Sequence, residues 1–259
     1  MTGLLFLAAA AGAADFLGAL LALAPLQFSG HALLYMLGMS AGYLLTWSIS
    51  NLIPLLVQHD PHLVSWSLAG YFGLYILENL FASHAHPSEE GNIHSHALVD
   101  SWGNHTAVIS RTACWVAVAG LLIHAFFDGA GIVSSFLIHP NIGALVFIAV
   151  LIHKIPEGSS LTSILAAAKK SASIIIATAA ATMLVTILGG IAAFWIGAAN
   201  PTWSYPLLAL SAGTFFFIGA SNLIPATQKG ESKGTVLAVL AGVFASYGVQ
   251  WLLQSAGID

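Results

Sequence analysis

Two short segments of the sequence pair a histidine with an acid at the same spacing, and a glycine follows each acid. The first is HAFFDG, residues 124–129, and the second is HKIPEG, residues 153–158. Residues four apart lie on the same face of a helix, so the imidazole and the carboxylate of each segment point together. Two facing helices would bring four ligands to one point: His124, Asp128, His153 and Glu157. Imidazole with carboxylate and without thiolate favours Zn²⁺ or Fe²⁺ over Cu⁺.

Both segments lie within long apolar stretches, where charge is costly. An ionised carboxylate at the centre of a bilayer costs roughly 2.5–3.5 kcal/mol, and a bound divalent cation would neutralise two of them. The alternative is a closed network of hydrogen bonds between imidazole and carboxylate that braces the helices. Pro156 removes one helical hydrogen bond, which frees a carbonyl near Ile152 and predicts a kink beside the acid.

Lys154 is the one lysine or arginine deep inside an apolar stretch, away from its ends. It points about 100° away from His153 around the helix, at ~3.6 residues per turn. We expect its ammonium to pair with a carboxylate within the membrane and so to take the place of a second cation.

Most of the remaining chain can cross a membrane. Of the 259 residues, 58% are hydrophobic and 6% are charged, against roughly 25% charged in a soluble domain. A spanning helix needs about 20 mostly apolar residues. Eight such stretches are predicted, at residues 3–26, 31–57, 63–82, 107–138, 142–168, 171–198, 205–226 and 235–253. We therefore expect an all-α, polytopic membrane protein that forms a single domain over residues 1–259.

The five lysine and arginine residues other than Lys154 predict the orientation. They lie beside the connections between spans three and four, five and six, and seven and eight, and they are Arg111, Lys169, Lys170, Lys229 and Lys233. Positive charge in short loops stays in the cytoplasm. Both termini are therefore predicted to be extracytoplasmic, in a cytoplasmic or plasma membrane.

Two spans are repeated later in the chain. SAGYLLTWSISNLIP from Ser40 and SAGTFFFIGASNLIP from Ser211 match at both ends, 171 residues apart, and the spans that follow share LAG from Leu68 and Leu240. The predicted topology sends the matching spans across in opposite directions, which is the inverted repeat of many transporters. We expect a 3+2+3 arrangement, in which spans one to three and six to eight surround spans four and five. The alternative is that apolar helices share small residues for close packing.

The long connection at residues 83–106 is rich in histidine, with His84, His86, His94, His96 and His105. Histidine-rich tracts bind metals, and this segment has few large apolar side chains to bury. We predict a cytoplasmic loop that captures metal, and a plain solvated loop is the alternative.

Other polar residues lie within the spans. Oxygen ligands along a path could come from Ser50, Asn51, Ser221 and Asn222, although hydrogen bonds between helices would use the same groups. Asp15 and Glu78 are expected near a membrane interface.

Through HAFFDG and HKIPEG, the sequence resembles the Zrt/Irt-like protein (ZIP) family of metal transporters, and the resemblance covers essentially the whole chain. It implies eight spans, extracytoplasmic termini, a variable histidine-rich loop between helices three and four, and His124, Asp128, His153 and Glu157 as metal ligands. Many members carry Asn in place of Ala125 and Asp or Asn in place of Lys154, where they help to hold a second metal. Neither residue can ligate here, so we predict a site for one ion, with Lys154 supplying the missing positive charge.

The sequence thus favours an importer of divalent transition metal by alternating access, with Zn²⁺ preferred and Fe²⁺, Mn²⁺ and Cd²⁺ as alternatives. The second hypothesis is a proton or organic-ion transporter with a His/carboxylate relay. An intramembrane metalloprotease is disfavoured because HExxH needs a glutamate where Ala125 and Lys154 stand. We expect no enzyme activity, no organic cofactor and no nucleic-acid partner. The expected partners are metal ions and the lipid bilayer, and a homodimer is one possible assembly of the protein.

Overall fold

The computed structural model describes residues 2–23, 30–83, 111–228 and 233–255, and these residues form eight helices. Helices α1, α3, α4, α5, α6 and α8 are uninterrupted, at Thr2–Leu23, Leu63–Ser83, Arg111–Ile138, Pro140–Ala167, Ala172–Ala199 and Lys233–Ser255. Helix α2 comprises Gly30–Trp47, a π-helical turn at Ser48–Leu52, and Ile53–His59. Helix α7 comprises Ser204–Phe217, a π-helical turn at Ile218–Leu223, and Ile224–Gln228. The described residues contain no strand, which confirms the all-α prediction for them.

The predicted ends of the spans agree with the helices to within two residues wherever both lie in the described ranges. The histidine-rich connection falls almost entirely outside those ranges. Its five histidines, His84, His86, His94, His96 and His105, are therefore not described.

Among the described residues, seven helices are long and apolar enough to cross a membrane: α1, α2, α4, α5, α6, α7 and α8. Helix α3, the third of the eight predicted spans, is not among them. It carries two tyrosines and the polar pair Glu78 and Asn79, which lower its apolar character. Many large apolar side chains are exposed on the outside of the bundle, including Phe244 and Trp251 on α8, as expected where lipid is the solvent.

Glycines bring the backbones of α1, α4, α5 and α6 into direct contact. A Cβ atom added at any of four glycines would overlap a carbonyl oxygen of a neighbouring helix. The pairs are Gly129 with Thr186, Gly158 with Asp15, Gly18 with Ile155 and Gly189 with Phe126. These four helices are called the first group below, and only small residues allow them to pack this closely.

Similar glycine contacts join α2 to α8 and α3 to α7, and these four helices are called the second group below. Here the overlapping pairs are Gly42 with Val239, Gly213 with Ser67, Gly70 with Leu210 and Gly242 with Met39. Side chains fill the boundary between the two groups, and Leu44 and Trp47 of α2 belong to the same buried cluster as Ile132 of α4 and Val150 of α5. The overlaps of glycines with backbone carbonyls therefore join helices within each group, whereas the close approach of Gly131 to Ser211 across the boundary involves a side chain.

Candidate metal centre

Helices α4 and α5 bring four buried ligands to one point. His124, Asp128, His153 and Glu157 each offer one ligand atom, and these atoms lie within 4.8 Å of one another. Asp128 Oδ1 lies 3.4 Å from His124 Nε2, and Asp128 Oδ2 lies 3.5 Å from His153 Nε2. Glu157 Oε2 lies 3.8 Å from His124 Nε2 and 3.7 Å from His153 Nε2. Ligand atoms in a tetrahedral zinc site with bonds near 2.0 Å are about 3.3 Å apart, so the four atoms surround a space of the right size.

Several polar atoms of the cluster have no hydrogen-bond partner in the described part of the chain. They include both ring nitrogens of His124, Nε2 of His153 and Oε1 of Glu157. Buried polar atoms are normally hydrogen-bonded, so these atoms are free to bind an ion. The bracing network of imidazole and carboxylate stays the alternative, since Asp128 lies 3.4 Å from His124 and 3.5 Å from His153.

The ring of His153 is oriented by the backbone of its own helix. Its Nδ1 lies 3.0 Å from the carbonyl oxygen of Ala149. When Nδ1–H donates this bond, the lone pair of Nε2 faces the cluster, as in histidines that ligate metals. Phe215 of α7 packs edge-on to both imidazoles, with ring centroids 6.2 Å from His124 and 5.9 Å from His153. The second group therefore contributes an apolar wall to a site whose ligands belong to the first group.

Pro156 frees the carbonyl of Ile152, as the sequence predicted, and a residue of the second group reaches it. The hydroxyl of Ser40 on α2 donates to this oxygen at 3.5 Å, a long hydrogen bond.

Lys154 is fully buried and its ammonium reaches both carboxylates. Its Nζ lies 2.6 Å from Asp128 Oδ2 and 2.9 Å from Glu157 Oε2. Although Lys154 leaves the helix at a different angle from His153, its long side chain bends back to the same cluster. Ala125 is buried beside it and has no ligand atom.

The polar residues considered for a transport path lie in the two π-helical turns. The hydroxyl of Ser50 is 3.2 Å from that of Tyr247, and the hydroxyl of Ser221 is 3.0 Å from that of Tyr71. Asn222 donates to Glu78 Oε1 at 3.1 Å, whereas Nδ2 of Asn51 is buried without a partner among the described residues. Three of the four candidates thus join helices of the second group. The π-helical turns themselves were not predicted. The sequence signal for them was the proline of SNLIP in both spans, because proline cannot donate a helical hydrogen bond.

Asp15 lies beside the cluster, and the expectation that it sits near a membrane interface is wrong. It is 1% exposed, and its backbone carbonyl contacts Gly158, which directly follows Glu157. Both of its carboxylate oxygens have no hydrogen-bond partner in the described residues. The glycine that ends HKIPEG was the sequence signal, because it lets α1 approach at this depth. Glu78 lies five residues from the end of α3, where it accepts the bond from Asn222.

Comparison with known proteins gives a consistent result. A family model described as ZIP zinc transporter matches residues 77–253. A zinc transporter named ZupT from Escherichia coli O7:K1 (strain IAI39) is 28% identical over 264 aligned positions, which cover 98% of each chain. ZupT from Escherichia coli K12 (strain DH10B) has the same identity and coverage.

Proposed function

This chain belongs to the family of ZIP zinc transporters, and from that premise we propose that it carries Zn²⁺ into the cytoplasm through the cluster on α4 and α5. The observation that carries the proposal is the convergence of His124, Asp128, His153 and Glu157 within 4.8 Å. Two imidazoles and two carboxylates suit Zn²⁺ well, and Fe²⁺, Mn²⁺ and Cd²⁺ are the competing substrates. A proton or organic-ion relay would not need four ligand atoms around one space.

The two groups of helices support transport by alternating access. All four ligands belong to the first group, while Phe215 and the π-helical turns belong to the second. Because the groups meet through side chains, they can shift against each other at a smaller cost than helices whose backbones touch. Movement of the first group against the second would present an intact site to either face of the membrane.

The glycine contacts support the inverted repeat of the 3+2+3 arrangement. Gly42 and Gly213 are 171 residues apart, and their contacts Ser67 and Val239 are related by 172. In the first group, Gly129 meets Thr186 and Gly158 meets Asp15. Asp15 and Thr186 are again 171 residues apart, and the two motif glycines are 29 apart. Each of these contacts therefore has a counterpart in the other half of the chain.

The contacts of α3 support its assignment as a membrane span, which brings the number of spans to eight. It runs in the same direction as α7, since Ser67 contacts Gly213 near one end and Glu78 bonds Asn222 near the other. Because α7 is long and apolar enough to cross, α3 crosses with it. A short turn joins α2 to α3, so α2 and α7 run in opposite directions, as the repeat requires.

Eight spans and the positive charges of Arg111, Lys169 and Lys170 favour extracytoplasmic termini. In this orientation the histidine-rich connection is cytoplasmic, where it would receive metal from the site. Metal capture by that loop and formation of a homodimer remain predictions.

The test is the variant Glu157→Ala, assayed for uptake of radioactive zinc by cells that lack other zinc importers. We expect uptake to fall to background, because the cavity loses one ligand and Lys154 loses one partner. Ser163→Ala on the same helix is the matched control and should transport normally. Both proteins must reach the membrane in equal amounts, and normal uptake by Glu157→Ala would refute the assignment.

A further inference from the structure

Lys154 forms ion pairs with carboxylate oxygen atoms that an incoming metal ion needs as ligands. Asp128 Oδ2 and Glu157 Oε2 face the imidazoles of the site, and both are in ion-pair contact with the same ammonium. A divalent ion and the ammonium therefore compete for these carboxylates. Lys154 has to give up at least part of its contacts when metal binds, and a buried ammonium without a partner is costly.

Asp15 is a further buried acid, on α1 where that helix contacts Gly158. It is almost completely buried, and neither oxygen has a hydrogen-bond partner in the described part of the chain. The hydroxyl of Thr182 donates to the carbonyl of Ala179 at 2.8 Å and lies close enough to interact with Asp15 as well. Lys154 lies close enough to Asp15 for the two charges to interact. Gly158, one helical turn beyond Lys154 on the same face of α5, is the residue that holds α5 against Asp15.

The corresponding place in the other half of the molecule has neither charge. Thr186 contacts Gly129 as Asp15 contacts Gly158, and Ala125 occupies in HAFFDG the position that Lys154 occupies in HKIPEG. The acid and the lysine thus occur together in one half, and two neutral residues replace them together in the other. This pattern indicates that Asp15 acts as a partner for the Lys154 ammonium.

We propose that Asp15 is the acceptor to which the Lys154 ammonium moves when metal enters the site. The inference rests on the proposed function, since it takes the four-ligand cluster as the binding site. In the empty site the ammonium bonds Asp128 and Glu157; in the loaded site it bonds Asp15, and the metal takes the vacated oxygens. Two carboxylates fall one charge short of balancing a divalent ion together with the ammonium, and Asp15 supplies that charge. The ammonium stays protonated throughout, so Asp15 is a positioning residue that sets metal affinity through Lys154.

The experiment is a double-mutant cycle on zinc affinity, measured with the full-length protein in lipid nanodiscs. Asp15→Asn keeps the shape of the side chain and removes its charge, and Lys154→Met keeps most of the length and removes the ammonium. We expect Asp15→Asn to weaken zinc binding by roughly 10- to 100-fold, the usual effect of losing a residue that supports metal ligands. In the Lys154→Met background the same change should have almost no effect.

Two further variants control the cycle. Thr186→Val, at the corresponding position of the other half, should bind zinc like the wild type. Asp15→Thr places at position 15 the residue type found at position 186. It is a second neutral variant, and its zinc affinity shows whether a loss seen with Asp15→Asn comes only from a folding defect of that variant. Equal zinc affinity of wild type and Asp15→Asn, or the same loss with and without Lys154, would overturn the inference. Wild-type protein that binds no zinc would instead overturn the proposed function.

Discussion

The cluster brings two carboxyl groups, two imidazoles and the Lys154 ammonium together, and we predict that Lys154 limits the site to one metal ion. Its ammonium contacts both carboxylates, and Ala125 leaves the neighbouring position without a ligand. We expect one tightly bound Zn²⁺ per protomer in a variant without residues 84–106, whose histidines would otherwise bind additional metal. Elemental analysis after gel filtration measures the ratio, with Glu157→Ala as the control for loss of the site. Two tightly bound ions in the core would contradict the role given to Lys154.

We predict that zinc binding depends on pH. Imidazole and carboxyl groups bind metal only in their deprotonated forms, so protons compete with the ion for the same ligand atoms. We expect zinc affinity to fall as the pH is lowered and each binding event to release protons under acidic conditions. Calorimetry in two buffers of different ionisation enthalpy measures the number released. Affinity that rises on acidification would argue against histidine ligation.

Among single residues, the sequence predicted which side chains converge better than it predicted what surrounds them. The repeated spacing of HAFFDG and HKIPEG identified His124 and Glu157 because helical periodicity fixes which residues share a face. Asp15 was misplaced because its importance depends on the contact of α1 with Gly158, and no local pattern in α1 specifies that contact. The spacing along a single helix determines which of its residues share a face. The charged residue that lies beside them depends on how several helices pack together.

Two glycines of α3 test the close packing of the second group. A Cβ at Gly70 would overlap the carbonyl of Leu210, whereas a Cβ at Gly73 would have nothing within 4 Å. We expect Gly70→Ala to destabilise the protein by about 1–3 kcal/mol, the usual cost of overpacking. Gly73→Ala should have no cost, because alanine favours a helix over glycine. Thermal unfolding in detergent compares the two, and equal stability would show that α3 and α7 pack less closely.

The helices themselves were largely predictable, since apolar length and polar connections mark their ends. The π-helical turns at Ser48–Leu52 and Ile218–Leu223 were not. Their prolines, Pro54 and Pro225, indicated a disturbed helix, but a kink and a widened turn have the same sequence signal. The residues of these turns bond to tyrosines of α8 and α3, so the neighbouring helices help to set their conformation.

The division of the molecule into two groups predicts which cross-links stop transport. In a background with the single native cysteine, Cys114, replaced by alanine, one cysteine pair joins α4 to α7 and another joins α1 to α6. A Cβ at Gly131 would lie 2.9 Å from that of Ser211, across the boundary between the groups, and a Cβ at Gly190 would lie 3.0 Å from that of Ala8, within the first group. Small adjustments bring either pair to the separation of about 3.8 Å found in disulfides.

We expect oxidation of the Gly131→Cys/Ser211→Cys pair to stop zinc uptake, and reduction to restore it, because that bond fixes the first group against the second. Oxidation of the Ala8→Cys/Gly190→Cys pair should leave most of the uptake, since it joins helices that move together. Uptake of radioactive zinc into vesicles, before and after oxidation, separates the two cases. If both cross-links stopped transport equally, the helices would not move as two groups, and the site would have to open by a change within α1, α4, α5 and α6.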